Sequence, residues 1–192
     1  VKDIVPNAYT PVYEAANEQG GAADNGLLDT TGNTQTGQWG YDVSVGSLAL
    51  SASYNPKPAA AAEAEVGYAV VYSGLMDGLE LSAGMFDDGD TAENDTIGVK
   101  YTMGNVTAAY QITNVDYEAT GSTDEDAIHY GVSVAINDEL SVSAGRQTIE
   151  FDAQSDDETN TGLMASYTMG SISIAGGFNK LENKGGSATA KD

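Results

Sequence analysis

From Trp39 onward the chain alternates apolar residues with small or polar ones, and tight turns interrupt the alternation at regular intervals. Tyr101-Thr102-Met103-Gly104-Asn105-Val106 and Tyr167-Thr168-Met169-Gly170-Ser171-Ile172 are near copies of one such turn. Val45-Gly46-Ser47-Leu48, Met76-Asp77-Gly78-Leu79 and Asn137-Asp138-Glu139-Leu140 are of the same kind. A period of two marks a β-strand whose two faces differ in polarity, and a short turn between two such runs marks a hairpin. The turns recur roughly every 30 residues, with long acidic loops at the opposite ends of the hairpins, and such a repeat is the pattern of a membrane-spanning antiparallel β-barrel.

Five hairpins give ten strands over residues 39–179. Trp39, Tyr41, Val43 and Val45 share a face and are followed by Leu48, Leu50, Ala52 and Tyr54. The pattern repeats with Val66–Tyr72 and Leu79–Met85, Ile97–Met103 and Val106–Ile112, Ile128–Ile136 and Leu140–Ala144, and Leu163–Met169 and Ile172–Phe178. The second face carries Gly, Ser, Thr and Ala, together with Asp42, Glu80, Lys100, Gln111 and His129. Residues 1–38 show no sustained period and read as a long acidic loop, and residues 180–192 as a polar loop or tail. Loops are expected at 87–95, 116–126 and 153–160. Tyr72, Tyr101 and Tyr167 lie near short turns, whereas Trp39, Tyr54, Tyr110, Tyr130 and Phe178 lie nearer the long loops; two such bands resemble the aromatic girdles of membrane proteins.

Composition narrows the function. Seven Lys and Arg stand against 29 Asp and Glu, a net charge of −22 that repels nucleic acid phosphates. Without cysteine there is no disulfide and no thiolate chemistry, and a single histidine, His129, rules out a His-rich metal site in this portion. No nucleophile motif or phosphate-binding loop is present, so an enzyme is not expected. No apolar run approaches the ~20 residues of a transmembrane helix, but barrel strands need only about 9–11. The alternation alone would also fit a soluble extracellular β-sandwich or adhesin-type binding module, which would stay soluble without detergent.

The hairpin Tyr101-Thr102-Met103-Gly104-Asn105-Val106-Thr107-Ala108-Ala109-Tyr110 and the segment Val43 to Ser53 resemble the general diffusion porins of α-proteobacteria, of the Rhodobacter type. The resemblance covers roughly residues 39 to 179 and rests on strand style and repeat length. It implies a sixteen-stranded homotrimeric barrel in the bacterial outer membrane, surrounded by lipid and lipopolysaccharide. It also implies a water-filled channel for passive diffusion of small hydrophilic solutes and ions, with no required cofactor. In such a barrel the third outer loop folds inward. An acidic loop followed by five short-turn hairpins then corresponds to strands six to fifteen. The family closes on a terminal aromatic, whereas this sequence ends Thr189-Ala190-Lys191-Asp192. The chain is therefore expected to be an internal portion of a longer protein; a complete ten-stranded barrel is the alternative.

On this reading Asp42, Lys100, Gln111 and His129 line the pore. Arg146 is assigned to the pore wall too, although its spacing from Leu140, Val142 and Ala144 places it on the apolar face. Ile149 and Phe151 have the opposite parity, and a bulge near Gly145, or the strand end leaving the membrane, would explain the switch. Glu14, Glu18, Asp24 and Asp29 are the candidate acids of the inward constriction loop, facing Lys100 and Arg146, and the excess of acid makes the expected pore weakly cation-selective. Clustered carboxylates suit hard cations, so calcium at Asp87, Asp88 and Asp90 is a candidate, without EF-hand spacing; charge runs of this kind are more often simply solvated.

Overall fold

The computed structural model describes residues 39–56, 64–89, 91–118 and 120–188. They form ten strands: β1 (Trp39–Val45), β2 (Leu48–Asn55), β3 (Glu65–Tyr72), β4 (Leu79–Asp87), β5 (Ala92–Met103), β6 (Val106–Tyr117), β7 (Glu125–Ala135), β8 (Leu140–Phe151), β9 (Glu158–Met169) and β10 (Ile172–Glu182). A short 3₁₀ turn, Lys184–Gly186, follows. Every strand pairs antiparallel with its sequence neighbours in one sheet, in the order β1 to β10. Hairpins between adjacent segments explain so simple an order, since each strand finds its partner without a crossover.

Turn chemistry sets the register. Gly104 adopts φ +60° in the two-residue loop between β5 and β6, which places Met103 opposite Val106. Gly46 and Gly170 do the same for their own hairpins. Gly78 differs. It has φ +77°, its carbonyl accepts the Thr102 N–H at 2.8 Å, and a Cβ placed on it would run into the Thr102 carbonyl oxygen. Gly78→Ala is therefore expected to cost clearly more stability than Gly104→Ala. Gly104 has open space around it and incurs only the roughly 1–2 kcal/mol of a left-handed L-residue. Urea unfolding of the two variants side by side measures the difference.

Burial is inverted relative to a soluble protein. The buried side chains are largely polar: Ser51, Ser53, Asn55, Ser82, Asn94, Thr96, Gln111, Thr113, His129, Ser143, Gln147, Thr159 and Asn160 among them. The exposed ones include Trp39 (74%), Ile97, Tyr130, Val132, Leu163, Ile174 and Phe178 (71%). Soluble sheets bury their apolar face, whereas a membrane barrel turns it outward. A sandwich would need a second sheet against that face; the described strands form a single sheet with its apolar face uncovered.

The aromatic bands lie on this outward face. Tyr110 and Tyr130 are direct cross-strand partners. Near the short turns Tyr167 donates its hydroxyl to Glu139 Oε2 at 2.9 Å, keeping an apolar ring outward and a polar tip at the edge.

The strands outrun their apolar alternation. The segments 87–95, 116–126 and 153–160, expected as loops, contribute Ala92 to Asp95, Asp116, Tyr117, Glu125, Asp126 and Glu158 to Asn160 to the ladders, and β10 runs to Glu182 rather than stopping at 179. Backbone hydrogen bonding continues where both faces have become polar, so the strand persists after its sequence signature fades.

Candidate functional site

The candidate site is the inward, polar face of the sheet. Register aligns its residues in rows across neighbouring strands. Asp42 faces Ser51, whose hydroxyl donates to its Oδ1 at 2.6 Å. Gln111, His129, Gln147 and Asn160 follow one another on β6 to β9, each directly paired with the next. Thr96 and Thr113 share a hydroxyl contact of 2.8 Å across β5 and β6, and Gln111 Nε2 donates to Thr113 Oγ1 at 3.2 Å. The middle of this face thus presents hydroxyls, amides and an imidazole, groups suited to water and hydroxylated solutes.

The inward charges are unbalanced. Strand parity turns Asp42, Glu65, Glu80, Glu125 and Glu158 to this side, with Lys100 as the counter-charge among them. Lys100 is paired rather than isolated. It sits opposite Glu80, and its Nζ lies 2.6 Å from Glu80 Oε1.

Of the residues assigned to the pore wall, Asp42, Lys100, Gln111 and His129 all lie on the inward face. Arg146 does not. The β7–β8 ladder runs without interruption from Glu125–Phe151 to Ala135–Ser141, so there is no bulge at Gly145. Strict alternation places Arg146 on the outward face, between Tyr130 and Thr161, and its guanidinium reaches Thr159 Oγ1 at 3.4 Å. Ile149 and Phe151 appear out of phase for a different reason: they point inward. Ile149 joins Val115 and Ala127 in a small apolar cluster, with Ala92 and Phe151 packed on it.

Glu14, Glu18, Asp24 and Asp29 lie outside the described residues, as does Asp90. Asp87 and Asp88 use their carboxylates locally. Asp87 accepts the Gly89 N–H at 2.7 Å, while Asp88 accepts the N–H groups of Thr91 and Ala92 at 2.6 and 2.9 Å and the Thr91 hydroxyl. Among the described residues no group of three or more His, Asp or Glu is arranged to hold a metal ion.

Gln147, Asn160 and Glu158 escaped the sequence reading. Parity identifies the first once the β7–β8 ladder is known to be continuous. The other two stood in a stretch expected as loop.

The Gram-negative porin family model matches residues 4–186. No curated protein sequence shows significant similarity to the chain. Among solved structures, a Rhodobacter porin superposes with a TM-score of 0.61 at 21% identity, over 74% of this chain and 55% of that one. OmpT, an outer membrane protein of Vibrio cholerae, superposes with a TM-score of 0.60 at 20% identity, over 81% of this chain and 60% of that one. The chain thus spans somewhat over half the length of the structures it matches. At these identities the likeness is one of fold. With the family model covering nearly the whole sequence, the chain belongs to the Gram-negative porin family of the bacterial outer membrane.

Proposed function

We propose that these ten strands form an arc of the wall of a water-filled outer-membrane pore, which passes small hydrophilic solutes and ions by passive diffusion. The observation that carries this is the inverted burial: polar side chains line the inward face and apolar ones cover the outward face. A bilayer would solvate the latter, and water the former. Among the described strands β1 and β10 each have one neighbour, and an open edge in hydrocarbon leaves backbone groups unsatisfied. Further strands completing a barrel, sixteen in the family pattern, would remove both edges. Homotrimer formation and contacts with lipid and lipopolysaccharide would fall to the outward face. No step of this function needs a catalytic group or a cofactor.

The inward carboxylates outnumber the matching ammonium, which supports a weak preference for cations, reinforced by the constriction acids Glu14, Glu18, Asp24 and Asp29 if residues 1–38 fold inward. The full-length protein in planar bilayers is expected to show stepwise conductance, with a reversal potential of cationic sign in a KCl gradient. Raising salt from 0.1 to 1 M shortens the Debye length from about 10 to about 3 Å and should weaken that preference. Anion preference would overturn the selectivity, and absence of channels the pore itself. Liposome swelling with sugars of graded size sets the solute limit.

A further inference from the structure

An apolar cluster facing a water-filled lumen calls for an explanation, and the segment after β10 supplies one. Val115, Ala127 and Ile149 are almost completely buried, at 3%, 0% and 0% exposure, at the long-loop end of the inward face. Phe151 packs on them from the same side. The chain leaves β10 at Glu182 and bends at once. Asn183 takes a left-handed conformation (φ 53°), and its Nδ2 donates to the Asp157 carbonyl at 3.2 Å. Two residues later the Gly185 N–H donates to Glu158 Oε2 at 2.7 Å. Glu158 is 1% exposed and stands directly opposite Ile149 on the inward face, so the backbone that reaches it has turned into the lumen. Gly186 is buried in the same place with φ 71°, where a Cβ would strike Gln154 and touch Phe151.

We infer that the segment Asn183–Ser187 is a fixed strap folded over the inner wall at the outer mouth, and that it sets a size limit there distinct from any constriction by residues 1–38. The inference rests on the pore reading above. Phe151, which packs on the apolar cluster, is the seat of the strap, Gly186 is the point of close fit, and Glu158 is the positioning residue. A carboxylate offers an acceptor strong enough to hold a backbone N–H in a site closed to water. The bond needs an acceptor oxygen at that position but not a full negative charge, which makes the contribution of Glu158 separable from simple electrostatics.

The test uses the full-length porin and four forms: wild type, Glu158→Ala, Glu158→Gln and Gly186→Ala. Glu158→Ala removes the acceptor, and Gly186→Ala forces a side chain against Gln154 in a conformation L-residues disfavour. Both are expected to raise single-channel conductance and to let larger sugars enter in liposome swelling. Glu158→Gln keeps an acceptor oxygen and should hold conductance and size limit near wild type. Thermal melting of each form separates release of the strap from loss of the barrel. Unchanged conductance and sugar cut-off in both Glu158→Ala and Gly186→Ala, with channels still forming, would overturn the strap. So would a rise in Glu158→Gln equal to that in Glu158→Ala. A wild-type protein that forms no channels would instead refute the pore reading itself.

Discussion

Val132→Arg is expected to cost the folded, membrane-inserted protein a large share of its stability, while Ser133→Arg, one residue along, leaves stability near wild type with an altered conductance. The two positions are neighbours on β7 with opposite parity. Val132 is 40% exposed on the outward face and flanked across the ladders by Ala108 and Ala144. Ser133 faces inward between Thr107 and Ser143. A charge held toward the bilayer midplane costs a transmembrane barrel about 2–4 kcal/mol, a large share of a total stability of about 5–15 kcal/mol. The same charge on the inward face meets water. Urea-dependent unfolding in detergent or lipid, read by tryptophan fluorescence from Trp39, follows the loss. Single-channel recording follows the change in conductance. Equal tolerance at both positions would contradict the inside-out arrangement on which the functional reading depends.

The sorting of residues onto two faces was largely legible in the sequence, although alternation did not by itself say which face meets lipid. The period-two alternation assigns a face to nearly every residue between two short turns, because each glycine turn resets the register locally. What was not legible depended on long-range pairing or on local exceptions to the rule that the inner wall is polar. Ile149 and Phe151 looked like a phase slip because apolar residues on a lumen face are unexpected. The segment that closes on Phe151 comes from residues distant in sequence, where the Gly185 N–H donates to Glu158 Oε2. The acidic stretches read as loops because beyond the apolar band both faces of a strand are polar, and alternation carries no signal there. Glu80 became the partner of Lys100 only through the β4–β5 register, although each residue had been assigned the correct face on its own strand.

Lys100→Glu is expected to raise the cation-to-anion permeability ratio strongly, and Arg146→Glu to leave it almost unchanged. Both substitutions reverse one charge, so sequence alone ranks them equally. Lys100 now balances Glu80 at 2.6 Å on the inward face; its reversal would set two carboxylates side by side in a wall already carrying Asp42, Glu65 and Glu125. A unit charge about 4 Å from a passing ion is worth about 1 kcal/mol even at the dielectric of water, which corresponds to roughly a fivefold change in relative permeability. Arg146 stands between Tyr130 and Thr161 on the other side of the sheet, where its charge is separated from the lumen by the wall. Its reversal should cost stability rather than selectivity, since a carboxylate there would lose the contact with Thr159 Oγ1. Reversal potentials of the two variants in matched KCl gradients decide the matter: equal shifts would mean that Arg146 reaches the lumen after all. A shift confined to Lys100→Glu would place selectivity on the inward charges, with the Lys100–Glu80 pair moderating the negative field of the wall.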